Sequence, residues 1–302
     1  MNVHPSPAPR VKGPIVWLDM DQQALDDAYD QEVYAPNRDQ VVARRLANSE
    51  LARAIIGAPQ CVAYGPTEIE KLDIYRSARP NAPINIFIHG GAWRRNKAAD
   101  YAVQAEMFIR AGAHSVIPDF ITVDDAGGSL FPLAEQIRRA IVWVYKNAAS
   151  FGGDRDRIYI SSHSSGSHFG GCIVTTDWRK ENLPADLIKG ALLASGMYDL
   201  KPVRLSKRSL YVKFTDEMEQ ALSAQRHIAK LNTPLILAHG TRETPEFQRQ
   251  TRDFYAAVKA AGKLAVLLVG EGYNHFELLE TLANPYGLLG RAALTQMKLA
   301  VL

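Results

Sequence analysis

From Pro83 onward, short apolar runs alternate with amphipathic stretches. Residues 84–88, 114–118, 157–161, 190–194, 234–238 and 264–269 are strand-length segments dominated by aliphatic and β-branched side chains, most of them closed by small or turn-forming residues. Between them, 133–148 sets Ile137, Ala140, Ile141, Val144 and Tyr145 at helical spacing, and 247–261 does the same with Phe254, Val258 and Ala261. Strands that read as unbroken apolar runs, separated by helices, predict a mainly parallel sheet covered on both faces. Ligands on such sheets bind beyond the carboxyl ends of the strands, so chemistry is expected directly after each run.

The first 80 residues follow another pattern. Residues 21–33 and 37–54 are charged and helical in spacing, without strand punctuation, and 64–75 then reads as an edge strand, clearest at Leu72-Asp73-Ile74-Tyr75. Residues 205–231 are helical with few apolar runs and form a candidate second piece of lid. The expected organisation is an N-terminal extension with lid helices over 1–80 and a catalytic core over 81–302, one domain overall, with no internal repeat or low-complexity tract.

A chain of 302 residues with 47% hydrophobic, 22% charged and 9% aromatic residues is ordinary for a globular protein and long enough to bury a core unaided. That excludes disordered, collagen-like and disulfide-scaffold classes. The 35 basic and 32 acidic residues give a net charge of +3 without blocks, so the basic stripe of a nucleic-acid binder is missing. Residues 1–17, with Pro5, Pro7, Pro9 and Pro14, hold no apolar run of signal-peptide length, and no stretch reaches membrane-span length. A soluble, cytoplasmic protein is expected. Cys61 and Cys172 show no metal-ligand spacing, which predicts free buried thiols, a single bridge being the alternative.

Ser162-His163-Ser164-Ser165-Gly166 follows the third strand run and leads into a helix start rich in small residues. A serine at the apex of a strand-to-helix turn, flanked by small residues, is the nucleophile-elbow pattern, because the apex backbone is strained and the helix packs close. Ser164 has glycine two residues on and a small residue two back; Ser165 fits less well. His89-Gly90-Gly91-Ala92-Trp93 follows the first run. Amides in such a glycine-paired loop can hold a developing oxyanion, and the expected donors are Gly91, Ala92 and Ser165, with Gly90 making the turn. A serine hydroxyl needs a base oriented by an acid. Glu243 falls in the loop after the fifth run, with Glu246 as rival, and His275 follows the sixth. Of the eight histidines, His4 lies in the terminus, His114 and His227 lack a motif, and His89 and His239 beside glycines suit structural hydrogen bonds. His163 and His168 flank the elbow, and no second ligand makes His168 a metal site. Trp93 and Tyr198 are expected to line the pocket, with core packing as their competing role.

Residues 87–94 (Phe-Ile-His-Gly-Gly-Ala-Trp-Arg), the elbow, Glu243-Thr244-Pro245-Glu246-Phe247, Thr176-Asp177-Trp178 and residues 195–200 (Ser-Gly-Met-Tyr-Asp-Leu) resemble the kynurenine formamidase-like (arylformamidase-like) branch of the α/β-hydrolases. The likeness spans roughly residues 20 to 280. It implies an α/β-hydrolase fold with a small helical lid, and the roles of nucleophile, acid and base for Ser164, Glu243 and His275. It favours Glu243 over Glu246, since the family's acid stands two residues before the Pro-Glu-Phe run. The chain departs from the family at Ser162 (usually glycine), Ser165 (usually alanine), Ala92 (often tyrosine) and Phe120-Ile121-Thr122-Val123-Asp124, where a Tyr-x-Leu-x-Pro run is usual. These departures bear on the substrate rather than on the nucleophile.

The expected protein is a serine hydrolase cleaving small or aryl carboxylic esters through an acyl-enzyme. An arylformamidase acting on N-formylkynurenine-like substrates is the alternative, and a non-catalytic binding protein on the same fold is the competing class. No metal or organic cofactor, nucleic acid or membrane is expected as a partner, and a homodimer is left open. A dinucleotide enzyme is disfavoured because no G-x-G-x-x-G follows the first strand.

Overall fold

The computed structural model describes residues 11–300; His4, Pro5, Pro7 and Pro9 lie outside them. A small antiparallel hairpin, β1 (Ile15–Trp17) and β2 (Met20–Asp21), opens the described chain, followed by helices α1 (Gln22–Ala28), α2 (Gln31–Tyr34) and α3 (Arg38–Ile56). The main sheet is built from β3 (Gln60–Ala63), β4 (Lys71–Tyr75), β5 (Ala82–Ile88), β6 (His114–Pro118), β7 (Gly153–His163), β8 (Ile188–Ala194), β9 (Leu235–Gly240) and β10 (Ala265–Gly270). Interleaved with them run α4 (Ala102–Arg110), α5 (Phe131–Asn147), α6 (Ser165–Val174), α7 (Leu200–Leu205), α8 (Asp216–Leu222) and α9 (Pro245–Ala260), and α10 (His275–Glu280) and α11 (Leu288–Gln296) close the chain.

The eight strands lie in the order β10-β9-β8-β7-β5-β6-β4-β3, parallel from β10 to β6 and antiparallel at β4 and β3. Each central strand buries both of its faces, which is why the runs read as continuous rather than alternating. Ile84, Ile86 and Ile88 of β5 pack with Leu133, Ile137 and Val144 of α5 on one side. Phe87, on the other side, packs with Ala105 and Phe108 of α4, and Leu192 of β8 with Leu289 and Leu294 of α11. The same alternation recurs in β7, where Ile158 and Ile160 belong to the first core and Tyr159 to the second.

The stretch expected as one edge strand, 64–75, is the second arm of a hairpin. Its first half turns through Tyr64–Glu70, tied by Thr67 donating to Glu70, and only Lys71–Tyr75 pairs, with β3 on one side and β6 on the other. Cys61 sits exposed on that outer strand rather than buried, and both cysteines are free. Residues 205–231 fold as short capped turns of helix. They join the N-terminal helices: Gln22 Nε2 donates to the carbonyl of Leu205 (2.9 Å), Arg208 Nη2 to that of Tyr29 (3.0 Å), and Lys207 pairs with Asp30. No helix among the described residues is long and apolar enough to cross a membrane.

Candidate active site

β7 ends at His163, and the chain turns at Ser164 into α6. Ser164 has φ 59° and ψ −128°, a conformation rare for a residue with a side chain. Two glycines make it feasible by close approach. A Cβ on Gly166 would stand 2.1 Å from the carbonyl oxygen of Ile88, and one on Gly90 would meet the Ser164 Cβ at 2.8 Å. The departure at Ser162 has a local compensation. Its buried hydroxyl lies 2.9 Å from Ser167 Oγ, in space left open by Gly170, where an added Cβ would come within 2.9 Å of that hydroxyl.

The structure brings Ser164, His275 and Glu243 into one hydrogen-bonded chain. Ser164 Oγ lies 2.8 Å from His275 Nε2, and His275 Nδ1 lies 2.9 Å from Glu243 Oε2. A carboxylate only accepts, so Nδ1 carries the ring proton and Nε2 offers its lone pair to the serine hydroxyl. Glu243 is buried and held on its other oxygen by the Gly240 amide (2.7 Å) and the Ser195 hydroxyl (2.6 Å). Gln31 of α2 reaches Oε2 at 3.4 Å. The rival, Glu246, points elsewhere: it accepts from the Tyr29 hydroxyl (2.8 Å) and forms a two-pronged pair with Arg249 (2.6 and 2.7 Å).

His275 opens α10, and Asn274 before it caps that helix with Glu277 in a reciprocal box. Asn37, at the start of α3, bonds both Asn274 (2.8 Å) and Glu277 (2.7 Å). His163 Nε2 donates to the carbonyl of His275 (2.9 Å) and the two rings lie 4.3 Å apart. Burial, and the His275 ring beside it, hold His163 well below the usual histidine range, so it stays neutral.

The loop after β5 carries two consecutive residues at positive φ, Ala92 (54°) and Trp93 (64°), each costing about 1–3 kcal/mol. Its restraints are visible. The Gly91 carbonyl accepts from the amides of Arg94 and Arg95 (3.0 Å each), and the Val123 amide donates to the Trp93 carbonyl (2.8 Å). The Gly90 carbonyl accepts from His89 Nδ1 (3.0 Å) and Asn96 Nδ2 (3.1 Å). In a trans peptide the N–H points opposite to the C=O, so holding the Gly90 oxygen aims the Gly91 amide the other way. The amides of Gly91, Ala92 and Ser165 have no acceptor among the described residues, which leaves three donors available to a ligand.

The cleft beside Ser164 has a volume of about 170 Å³ and is lined by Gly91, Ala92, His163 and His275 together with residues of 29–45, others of the loop after β5, and Arg208. Neither expected pocket residue lines it. Trp93 is buried, its indole donating to His168 Nδ1 at 3.2 Å, because the two positive-φ residues turn the side chain inward. Tyr198 is buried with its ring stacked on Phe254, centroids 4.3 Å apart, and its hydroxyl toward the Leu193 carbonyl. The cleft walls that sequence reasoning missed come from 29–32, Arg38, Arg45, Arg95 and Arg208. Asp30, as an N-cap, carried a local signal; the arginines carried none, since Arg38 and Arg45 on α3 read as a solvated helix face and Arg95 and Arg208 as surface turns. Among the described residues there is no group of histidine, cysteine, aspartate or glutamate fit to hold a metal.

Comparison with known proteins gives a consistent picture. Residues 72–191 match the BD-FAE family model. Kynurenine formamidase of Danio rerio is 28% identical over 292 residues, covering 92% of this chain and 97% of that protein. Among solved structures, a thioesterase-like protein from Silicibacter sp. superposes with a TM-score of 0.76 at 22% identity, covering 87% of this chain and 95% of the other. Esterase LipW from Mycobacterium marinum superposes with 0.70 at 16% identity, over 89% and 90%. The parallel sheet, the strand-end turn at Ser164 and these likenesses agree: the chain has the α/β-hydrolase fold and is similar in sequence to kynurenine formamidase.

Proposed function

We propose that Ser164 is the nucleophile of a serine hydrolase that cleaves small or aryl carboxylic esters, with His275 as base and Glu243 orienting it. The observation that carries the reading is the chain of hydrogen bonds from Ser164 through His275 to Glu243, beside three unpartnered amides. Ser164 Oγ attacks the acyl carbon as its proton passes to His275 Nε2, and Glu243 stabilises the imidazolium that forms. The carbonyl oxygen, now an oxyanion, takes the amides of Gly91, Ala92 and Ser165, each such donor being worth about 3 kcal/mol. Collapse expels the alcohol, which leaves with the proton from Nε2. Water then attacks the acyl-enzyme, giving its proton to Nε2, and Ser164 recovers a proton as the acid departs. Gly90 supplies the turn and no donor.

A cleft of about 170 Å³ suits a single ring or a short acyl chain, since an apolar cavity of ~150 Å³ holds benzene. Two free cysteines suit the reducing cytoplasm, the compartment we assign. Turnover of p-nitrophenyl acetate that disappears in His275→Ala tests the reading; a variant as active as the parent overturns it. A second reading, arylformamidase, is supported by the 28% identity to the Danio rerio enzyme across nearly the whole chain. A higher kcat/KM for N-formylkynurenine than for short p-nitrophenyl esters would select it.

A further inference from the structure

The cleft over Ser164 holds more positive charge than its own acids neutralise. Four arginines line it, Arg38, Arg45, Arg95 and Arg208, against Asp30 and Glu32. Glu32 is taken by Arg38 (3.2 Å) and faces Arg95 (3.7 Å), and Asp30 is paired with Lys207, Arg208 acting on it only through space. Arg45 and Arg208 are left without a carboxylate partner among the described residues.

Both are buried, at 9% and 7% exposure. Arg45 lies over the Tyr101 ring at 4.5 Å, and none of its nitrogens donates to any described residue; its Nε is walled off from solvent as well. Arg208 gives Nη1 to the Tyr211 hydroxyl (2.8 Å) and Nη2 to the Tyr29 carbonyl (3.0 Å), both neutral acceptors, and its Nε has no partner. A buried guanidinium without a counter-charge is expensive, and buried charges in folded proteins are paired. The cation–π contacts with Tyr101 and Trp93 offset only part of that cost. The remaining neighbours in the cleft supply no anion: His163 is held neutral by burial, and Gly91 and Ala92 present amide donors.

We propose that Arg45 and Arg208 form an anion subsite, and that the ester or amide hydrolysed at Ser164 carries a carboxylate placed against them. The proposal rests on the serine-hydrolase reading and narrows it to negatively charged substrates. A planar guanidinium pairs with a carboxylate through two parallel N–H donors, so the subsite fixes orientation as well as charge.

Two matched probe pairs test it. One carries the carboxylate on the acyl side (p-nitrophenyl hemiglutarate against p-nitrophenyl butyrate), the other on the leaving group (4-acetoxybenzoate against phenyl acetate). The readout is the anionic-to-neutral ratio of kcat/KM within each protein, corrected for alkaline hydrolysis rates, so any general loss of activity cancels. The parent should favour the anionic member of at least one pair by about tenfold, and Arg45→Met and Arg208→Met should each remove most of that preference. Competitive inhibition of p-nitrophenyl butyrate turnover by glutarate, stronger than by glutaramide, gives the same answer in the unmodified protein, whether or not a variant folds. Ratios near or below one for both pairs, ratios unchanged in both variants, or equal inhibition by glutarate and glutaramide would overturn the subsite. Turnover of the neutral esters with labelling of Ser164 by a fluorophosphonate would in that event leave the serine reading standing.

Discussion

The indole Nε1 of Trp93 donates to Nδ1 of His168 at 3.2 Å, and Nε2 of the same imidazole donates to the carbonyl of Leu222 at 2.9 Å. An indole nitrogen only donates and a carbonyl only accepts, so the ring is held neutral with its proton on Nε2. One histidine thereby ties the loop after β5 to the end of α8. Burial pushes its pKa down from 6.5 to about 4.

A pH dependence of stability follows from that bond. Between about pH 6.5 and 4 the unfolded chain takes up a proton at His168 that the folded one refuses, so stability is complete above 6.5 and falls as pH drops through this window. The contribution is on the order of 3 kcal/mol. His89, His114, His163 and His239 are lowered by burial too and act in the same direction. Asp73 opposes them: burial and repulsion from Asp119 raise it to about 6, so its effect on stability worsens as pH rises toward that value. Denaturant midpoints measured from pH 7 to 4 should fall, and His168→Gln, whose amide can serve both partners without titrating, should flatten the fall. A profile identical in the variant would count against the assignment.

Glu243 and Glu246 stand three residues apart with separate tasks. Glu243→Gln should lower kcat on the order of 10³-fold with the unfolding midpoint little changed, because the imidazole loses its orienting anion. Glu246→Gln should do the reverse, costing about 1–2 kcal/mol by weakening the bonds to Arg249 and the Tyr29 hydroxyl, with Arg249 keeping Asp253, while turnover per folded molecule is kept. Kinetics and urea unfolding on the two variants would expose an exchange of these outcomes.

The elbow predicts a coupling between Ser162 and Gly170. Gly170→Ala puts a methyl 2.9 Å from Ser162 Oγ and 2.6 Å from Leu193 Cδ2, and should destabilise the fold. In the Ser162→Gly background the first of these conflicts is gone, so the same change should cost about 1 kcal/mol less. Additive costs in a double-mutant cycle would show that Gly170 is not there to make room for Ser162.

Asn96 holds the Gly90 carbonyl at 3.1 Å and with it the direction of the Gly91 amide. Asn96→Ala should lower kcat by about tenfold with a smaller change in KM, since a loosened amide is felt most when charge develops on the carbonyl oxygen. A change confined to KM would place Asn96 in substrate binding instead.

How much of this was legible beforehand depended on what burial leaves in a sequence. The central strands were readable because both faces are covered, and Ser164, Glu243 and His275 because each stands directly past a strand end. The 64–75 stretch reads as one edge strand although only Lys71–Tyr75 pairs, because an outer hairpin buries little and its polar turn looks like strand. Trp93 and Tyr198 stand at strand ends, where a side chain can face cleft or core, and only the positive φ of Ala92 and Trp93 decides it for the first. Arg45 was invisible: on α3, among Arg38, Arg44 and Arg53, it reads as one more solvated charge until α4 and Tyr101 close over it.

Mass spectrometry after treatment with a fluorophosphonate tests the central claim most directly, with fragment ions resolving Ser161, Ser162, Ser164, Ser165 and Ser167. One adduct per chain should appear on Ser164, should be absent from Ser164→Ala and greatly slowed in His275→Ala, and should persist in Ser165→Ala. An unmodified protein, or an adduct on any other serine, would contradict the account.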